Sequence, residues 1–195
     1  MSPYWTGFSV YQLNNDWPSS SRASPSLFRC ANNMNPSFRE ILRLLNSHEV
    51  EYIVVGGVAA VIHGAPVTTF DLDALIRVTE DNAVKLIGAL DALDARYREH
   101  PESIHPTRQE ILAGGHMLLM TRAGPLDVLG YIGDGDTYEK LQHSAEEIAT
   151  DAGSFQVLSL DELVRQKEAI DRVKDRATLE ILRELMKRRD ERRGG

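Results

Sequence analysis

The 195-residue chain has a single cysteine, Cys30, so it cannot close a disulfide within itself, and no Cys/His zinc pattern surrounds that residue. It also lacks any run of about 18 apolar residues, the length a membrane-spanning helix needs, so no membrane association is expected. The first residues carry no basic stretch leading into an apolar core, which argues against a secretory leader. These absences fit a reducing cytoplasm as the expected location. No internal repeat occurs. An excess of positive charge is missing too: the formal charge is −7, which discourages a general nucleic-acid binder. The charge is uneven, however. Residues 165–195 hold 11 of the 22 Lys and Arg against 7 of the 29 acids, giving that segment +4 and the remainder −11. A basic tail on an acidic body can hold phosphates locally, or it can be an ordinary solvated helix.

What is present reads as one substantial globular domain, 42% hydrophobic and 26% charged, with a small helical appendage. Residues 1–33, rich in Ser, Pro, Asn and aromatics without periodicity, are expected to form a flexible or loosely packed arm; Met34 behind them is a candidate alternative start. A core is expected over 34–157 and a helical segment completing it over 158–195. Phe38, Ile41, Leu42 and Leu45 recur at helical spacing. Glu51 to Val55 is a β-branched run ending at Gly56-Gly57, a buried strand entering a turn. A short helix follows, closed by Gly64 and Pro66. "TFDLDALIRV" alternates as a second strand, and Thr79 is placed to cap a helix through Leu93. "HMLLMTRAGPLDVLGYI" reads as two strands joined at Ala123-Gly124-Pro125, and "SFQVLSL" as the last strand. Ser159 with Glu162 opens a capped helix that breaks near Asp171–Lys174. The order is α+β: a small mixed sheet flanked by helices, with a helical C-terminal part.

Two features of this apolar frame call for chemistry. If the second strand alternates, Asp71 and Asp73 share a face, where two close carboxylates repel unless a cation separates them. Hard cations such as Mg²⁺ take oxygen ligands, often carboxylates together with substrate phosphates. Asp127, an acid between apolar neighbours in another strand, is the candidate third ligand, and three such acids could hold two metals. Gly56 and Gly57, between strand and helix, let backbone N–H groups approach a phosphate. Taken singly, each feature reads equally as a plain turn and an exposed acidic edge. Together, 13 residues apart, they fit opposite sides of one cleft.

On these residues, Val55-Gly56-Gly57 followed by Asp71-Leu72-Asp73, with Leu126-Asp127-Val128 downstream, the chain resembles the nucleotidyltransferase superfamily of DNA polymerase beta type. The fuller "GGVAAVIHG…TTFDLDALI" with "LDELVRQKEAIDRVKD" narrows the likeness to the nucleotidyltransferase toxins of bacterial toxin–antitoxin pairs, in particular the mycobacterial MenT type, over roughly residues 37–185. The resemblance implies transfer of a nucleoside monophosphate from an NTP, with CTP favoured as donor and Mg²⁺ as cofactor, to the 3′ end of tRNA, blocking aminoacylation and translation. It also implies a cognate antitoxin protein as partner. Lys167, Arg172, Lys174 and Asp175 match the family's downstream pattern. A lysine there would contact the triphosphate, and Asp175 would orient that lysine or the nucleobase. Relatives often carry Arg where this chain has Val67, so either another base replaces it or donor binding differs. His63 matches the pattern and is expected to brace the metal-bearing strand. Thr69, two residues before Asp71, is a candidate regulatory phosphosite, where a phosphate dianion would inhibit. The terminal "KRRDERR" is read either as a contact to RNA backbone or as a frayed helix end. Other readings remain at this point: transfer to a protein or a small-molecule, aminoglycoside-like hydroxyl, or a degenerate transferase acting as binding partner or antitoxin.

Overall fold

A computed structural model describes residues 36–100, 102–150, 153–170 and 173–193. The arm at 1–33, with Cys30, and the family-pattern residue Arg172 lie outside the described residues, as do the side chains of Lys174 and Asp175. Helix α1 (Pro36–Ser47) buries Phe38, Ile41, Leu42 and Leu45, as their spacing requires. The four residues of β1 (Tyr52–Val55) are all buried, which explains an unbroken apolar run where a half-exposed strand would alternate. At Gly56 the backbone takes φ +62°, a value that favours glycine. The chain thereby passes from β1 into α2 (Gly56–Ile62) with no intervening loop. Gly64, at φ +96°, lies just beyond the end of α2.

The chain returns through β2 (Leu72–Ile76), antiparallel to β1 with Val55 opposite Asp73. Helix α3 (Glu80–Ala92) starts where the sequence puts it: the Thr79 side chain accepts the Asn82 N–H, with Glu80 and Asp81 in the first turn. Asn82 is itself buried. Its amide accepts from Glu51 N–H and donates to the Glu51 and Arg77 carbonyls, tying α3 to the entry of β1. The short β3 (Arg96–Tyr97) follows, then α4 (Arg108–Leu112), opened by a Thr107–Glu110 capping box. The hairpin of β4 (His116–Thr121) and β5 (Gly124–Leu129) turns at Arg122-Ala123, one step earlier than the sequence indicates, so that Gly124 and Pro125 belong to β5. After α5 (Tyr138–Leu141) and a single 3₁₀ turn come β6 (Ala145–Thr150) and β7 (Gly153–Leu158). Helices α6 (Leu160–Ile170) and α7 (Val173–Arg193) close the described chain; the expected break near Asp171–Lys174 falls largely on residues outside those described.

The strands form one mixed seven-stranded sheet in the order β3-β4-β5-β2-β1-β7-β6. The two central contacts that matter for the site are β1–β2, antiparallel, and β2–β5, parallel. Helix α3 packs against both α1 and α4, while α2 packs against α6 and α6 against α7. No helix among the described residues is long and apolar enough to cross a membrane.

Candidate active site

The parallel pairing of β2 with β5 sets Asp73 directly opposite Asp127, and opposed residues on neighbouring strands project to the same side of a sheet. Asp71 reaches the pair differently from the alternation argument. It lies in a bend one residue before β2, outside the regular strand, yet its charge bears on both Asp73 and Asp127. All three acids expected from the sequence are therefore near enough for their charges to act on one another. Burial, followed by repulsion from Asp71 and Asp127, pushes the Asp73 carboxyl up to about 7. Asp127 is also raised, chiefly by its burial.

The glycines serve these carboxylates at close quarters. A Cβ on Gly56 would overlap the Asp73 carboxylate, and one on Gly57 would stand 2.5 Å from the Thr69 hydroxyl. The Gly57 N–H donates to Asp73. The glycine pair is thus needed to let Asp73 and Thr69 lie against the start of α2, a tighter job than the open phosphate turn expected from sequence. Thr69 Oγ1 donates to the Asp71 carbonyl at 3.2 Å and to its carboxylate at 3.3 Å, so the threonine is part of the same cluster. His63 does brace a strand, but a different one: its Nε2 donates to the Leu158 carbonyl at the end of β7, 2.8 Å away. Burial holds this imidazole below its usual range.

Lys167 arrives from α6, the helix packed on α2, and its positive charge acts on Asp73. The turn of α6 that carries it is fastened by a buried carboxylate that sequence reading passed over. Asp136 accepts from Lys140, Arg165 and Gln166, and Gln166 and Arg165 are held again by Glu162. A Cβ on Gly133 would collide with the Gln166 amide oxygen, so that glycine admits Gln166 as Gly56 admits Asp73. Residue 175 is helical in α7, but its side chain is not among those described. From α7, Arg183 pairs with Glu168, Arg188 with Glu184, and Arg189 with Asp161.

Sequence reading also missed Arg98. It follows β3, where its N–H bonds the Leu118 carbonyl. Its guanidinium crosses Leu118 to pair with the Asp127 carboxylate and contacts the Leu119 carbonyl at 3.2 Å. No local pattern marks Arg98; only the register of three strands brings it to Asp127.

Among the described residues, no three His, Cys, Asp or Glu side chains already stand as a metal cage, and Asp127 is paired with Arg98. The donor chemistry nevertheless suits a hard divalent cation. Asp71 and Asp73 offer oxygen ligands only, and the upward push on Asp73, from burial first and then from Asp71 and Asp127, is one that such a cation would relieve.

No family model matches the chain, and no curated protein matches it either. Among solved structures it is similar to the lincosamide antibiotic adenylyltransferase LnuA, in a lincomycin-bound crystal structure, at 15% identity and TM-score 0.55, over 79% of this chain and 99% of that one. A Thermotoga maritima protein provisionally named a nucleotidyltransferase, TM1012, is similar at 19% identity and TM-score 0.47, over 73% of this chain and 88% of that one. The protein has the nucleotidyltransferase fold that LnuA displays.

Proposed function

We propose that the protein is a nucleotidyltransferase that moves a nucleoside monophosphate from an NTP to a hydroxyl acceptor. The observation that carries this reading is that Asp73 lies opposite Asp127 in the sheet and feels the charges of Asp71, Asp127 and Lys167, within this fold. Asp71 and Asp73, joined by Asp127, would hold Mg²⁺, which when bound supplies an activated hydroxyl and neutralises phosphate charge. Asp127 takes the proton of the attacking hydroxyl. Lys167 contacts the triphosphate and offsets the charge that grows as the pyrophosphate leaves. Gly56 and Gly57 border the phosphates and keep Asp73 in place, and Asp175 orients the lysine or the base.

The finer reading rests on the resemblance of the sequence motifs. The donor is a pyrimidine nucleotide, CTP before others. The acceptor is the 3′ end of tRNA, and the protein is the cytoplasmic toxin of a toxin–antitoxin pair, silenced by its cognate antitoxin. The contact of Thr69 with Asp71 makes that hydroxyl a fitting place for inhibitory phosphorylation. A second acceptor reading is favoured by one observation, the fold shared with a lincomycin-bound adenylyltransferase: a small-molecule hydroxyl in place of RNA.

Incubating the protein with each labelled NTP, Mg²⁺ and either total tRNA or small hydroxylated antibiotics separates the readings. Label in tRNA, lost in a folded Asp71→Ala variant, supports the first, and label in the antibiotic supports the second. Transfer that survives Asp71→Ala refutes the site.

A further inference from the structure

We propose that Arg98 is a displaceable counter-ion, which neutralises Asp127 in the empty site and surrenders it to a divalent cation when a substrate phosphate takes the guanidinium. The inference rests on the site reading given above and deepens it. Arg98, Leu118, Asp127 and Asp73 lie in one row across β3's extension, β4, β5 and β2. Along that row, opposed side chains share a face. Asp127 is 12% exposed at its side chain and Arg98 28%, so the pair forms at the rim of the acidic cluster, with the arginine on the solvent side. A largely buried carboxylate facing two others needs a compensating charge, and here a protein cation fills that place.

The arrangement is incomplete from the arginine's side. Its Nε is buried and has no hydrogen-bond partner, an orphan that costs stability. One carboxylate oxygen and one backbone carbonyl leave the five-donor fork partly unused, whereas a phosphate presents enough oxygens to engage it at two points. Exposure at the rim gives the side chain room to exchange one anion for the other. Cation binding at the acids and phosphate binding at Arg98 therefore favour each other: each removes the partner that the other must displace. A site wired in this way holds its metal weakly until substrate arrives.

Mn²⁺ titration of the nucleotide-free protein, followed by the EPR signal of the free ion, tests the first half. Arg98→Gln is expected to bind Mn²⁺ roughly 5- to 10-fold more tightly than the parent, with Arg98→Lys in between. In an Asp127→Asn background the same substitution should change nothing. Unchanged or weaker binding by folded Arg98→Gln overturns the counter-ion role, as does a gain that persists with Asp127→Asn. Steady-state kinetics test the hand-over. Arg98→Gln should raise KM several-fold for NTP or for the RNA acceptor, whichever supplies the phosphate, and no change in either KM overturns it. Mn²⁺ binding that is absent from every variant, or indifferent to Asp71→Asn, would sink the metal site itself and the inference with it, an outcome distinct from an unresponsive Arg98.

Discussion

Asp73 and Asp136 are both acids with little solvent around them, each in a cluster where a glycine makes room for a side chain, Gly56 for Asp73 itself and Gly133 for Gln166, yet their carboxyls are driven in opposite directions. Asp136 collects Lys140, Arg165 and Gln166 around one carboxylate, and the hydrogen bond from Lys140 leads in holding it down to about 2. Asp73 has like charges for neighbours and one backbone N–H, and burial with that repulsion lifts it to about 7. The first cluster is satisfied within the protein. The second keeps a raised carboxyl despite the Gly57 N–H and the charge of Lys167, and in the proposed reading a bound cation supplies what is missing. Burial pushes both carboxyls up, but only Asp136 has cationic hydrogen-bond partners that outweigh it.

The largest effect expected from this contrast is on chemistry. Asp73→Asn should lower nucleotidyl transfer by about 10³-fold or more, the scale on which catalysis falls when transition-state charge loses its stabilising partner. In metal-free buffer at pH 8 the same variant should resist urea better than the parent, by about 1–3 kcal/mol, since a buried repelled charge disappears. Lower activity together with lower stability would show that Asp73 is a structural acid like Asp136. Next in size, Asp136→Asn should cost about 2–3 kcal/mol by urea denaturation. It removes the charge on which two exposed cations and a buried amide converge, and half of that network is screened by water. Its transfer activity should suffer mainly through KM for NTP, because Gln166 precedes Lys167 on α6.

Much of the frame was legible in advance, and for physical reasons. Phe38, Ile41, Leu42 and Leu45 lie on one helical face because a helix must bury a stripe. Thr79 starts α3 because its oxygen meets an otherwise unpaired N–H. Asp73 and Asp127 were visible as acids in apolar strands, where a charge has no structural reason to be. Edges were less legible. The two-residue β3 and the short α4 carry too little periodicity to read, and the β6 sequence "AEEIAT" mixes one part-buried and one exposed acid with one buried isoleucine. Asp71 was assigned to the strand because alternation carries on across the bend. Arg98, Asp136 and Gln166 were invisible for another reason: each acquires its role from a partner about 30 residues distant, and no local pattern encodes that meeting.

A substitution at the hinge of the quieter cluster sharpens the comparison further. Gly133 takes φ +54° and lies against Gln166, so Gly133→Ala meets both backbone strain and a collision. About 1–3 kcal/mol of destabilisation is expected from thermal or urea unfolding. Gln166→Ala should relieve the collision, making the double variant less destabilised than the sum of the singles. Additive losses would mean that Gln166 is not what the glycine accommodates.

The smallest effect, and the cleanest separation of the two acids, lies in the pH dependence of metal-free stability. The folded-state value for Asp73 is about 7, above the unfolded carboxyl, so the folded form holds its proton longer and stability falls as pH rises from about 4 to 7. For Asp136 the folded value is about 2, below the unfolded one. Its contribution is fully present above pH ~4 and is lost as pH drops from about 4 toward 2. Urea midpoints taken with chelator across pH 3 to 8 should therefore show two slopes of opposite sign, each worth at most about 1.4 kcal/mol per pH unit. Asp73→Asn should flatten the upper slope alone and Asp136→Asn the lower one alone. Adding Mg²⁺ should flatten the upper slope in the parent but not in Asp73→Asn, since the cation favours the ionised carboxylate that burial opposes. A metal effect surviving that substitution would move the binding site away from Asp73.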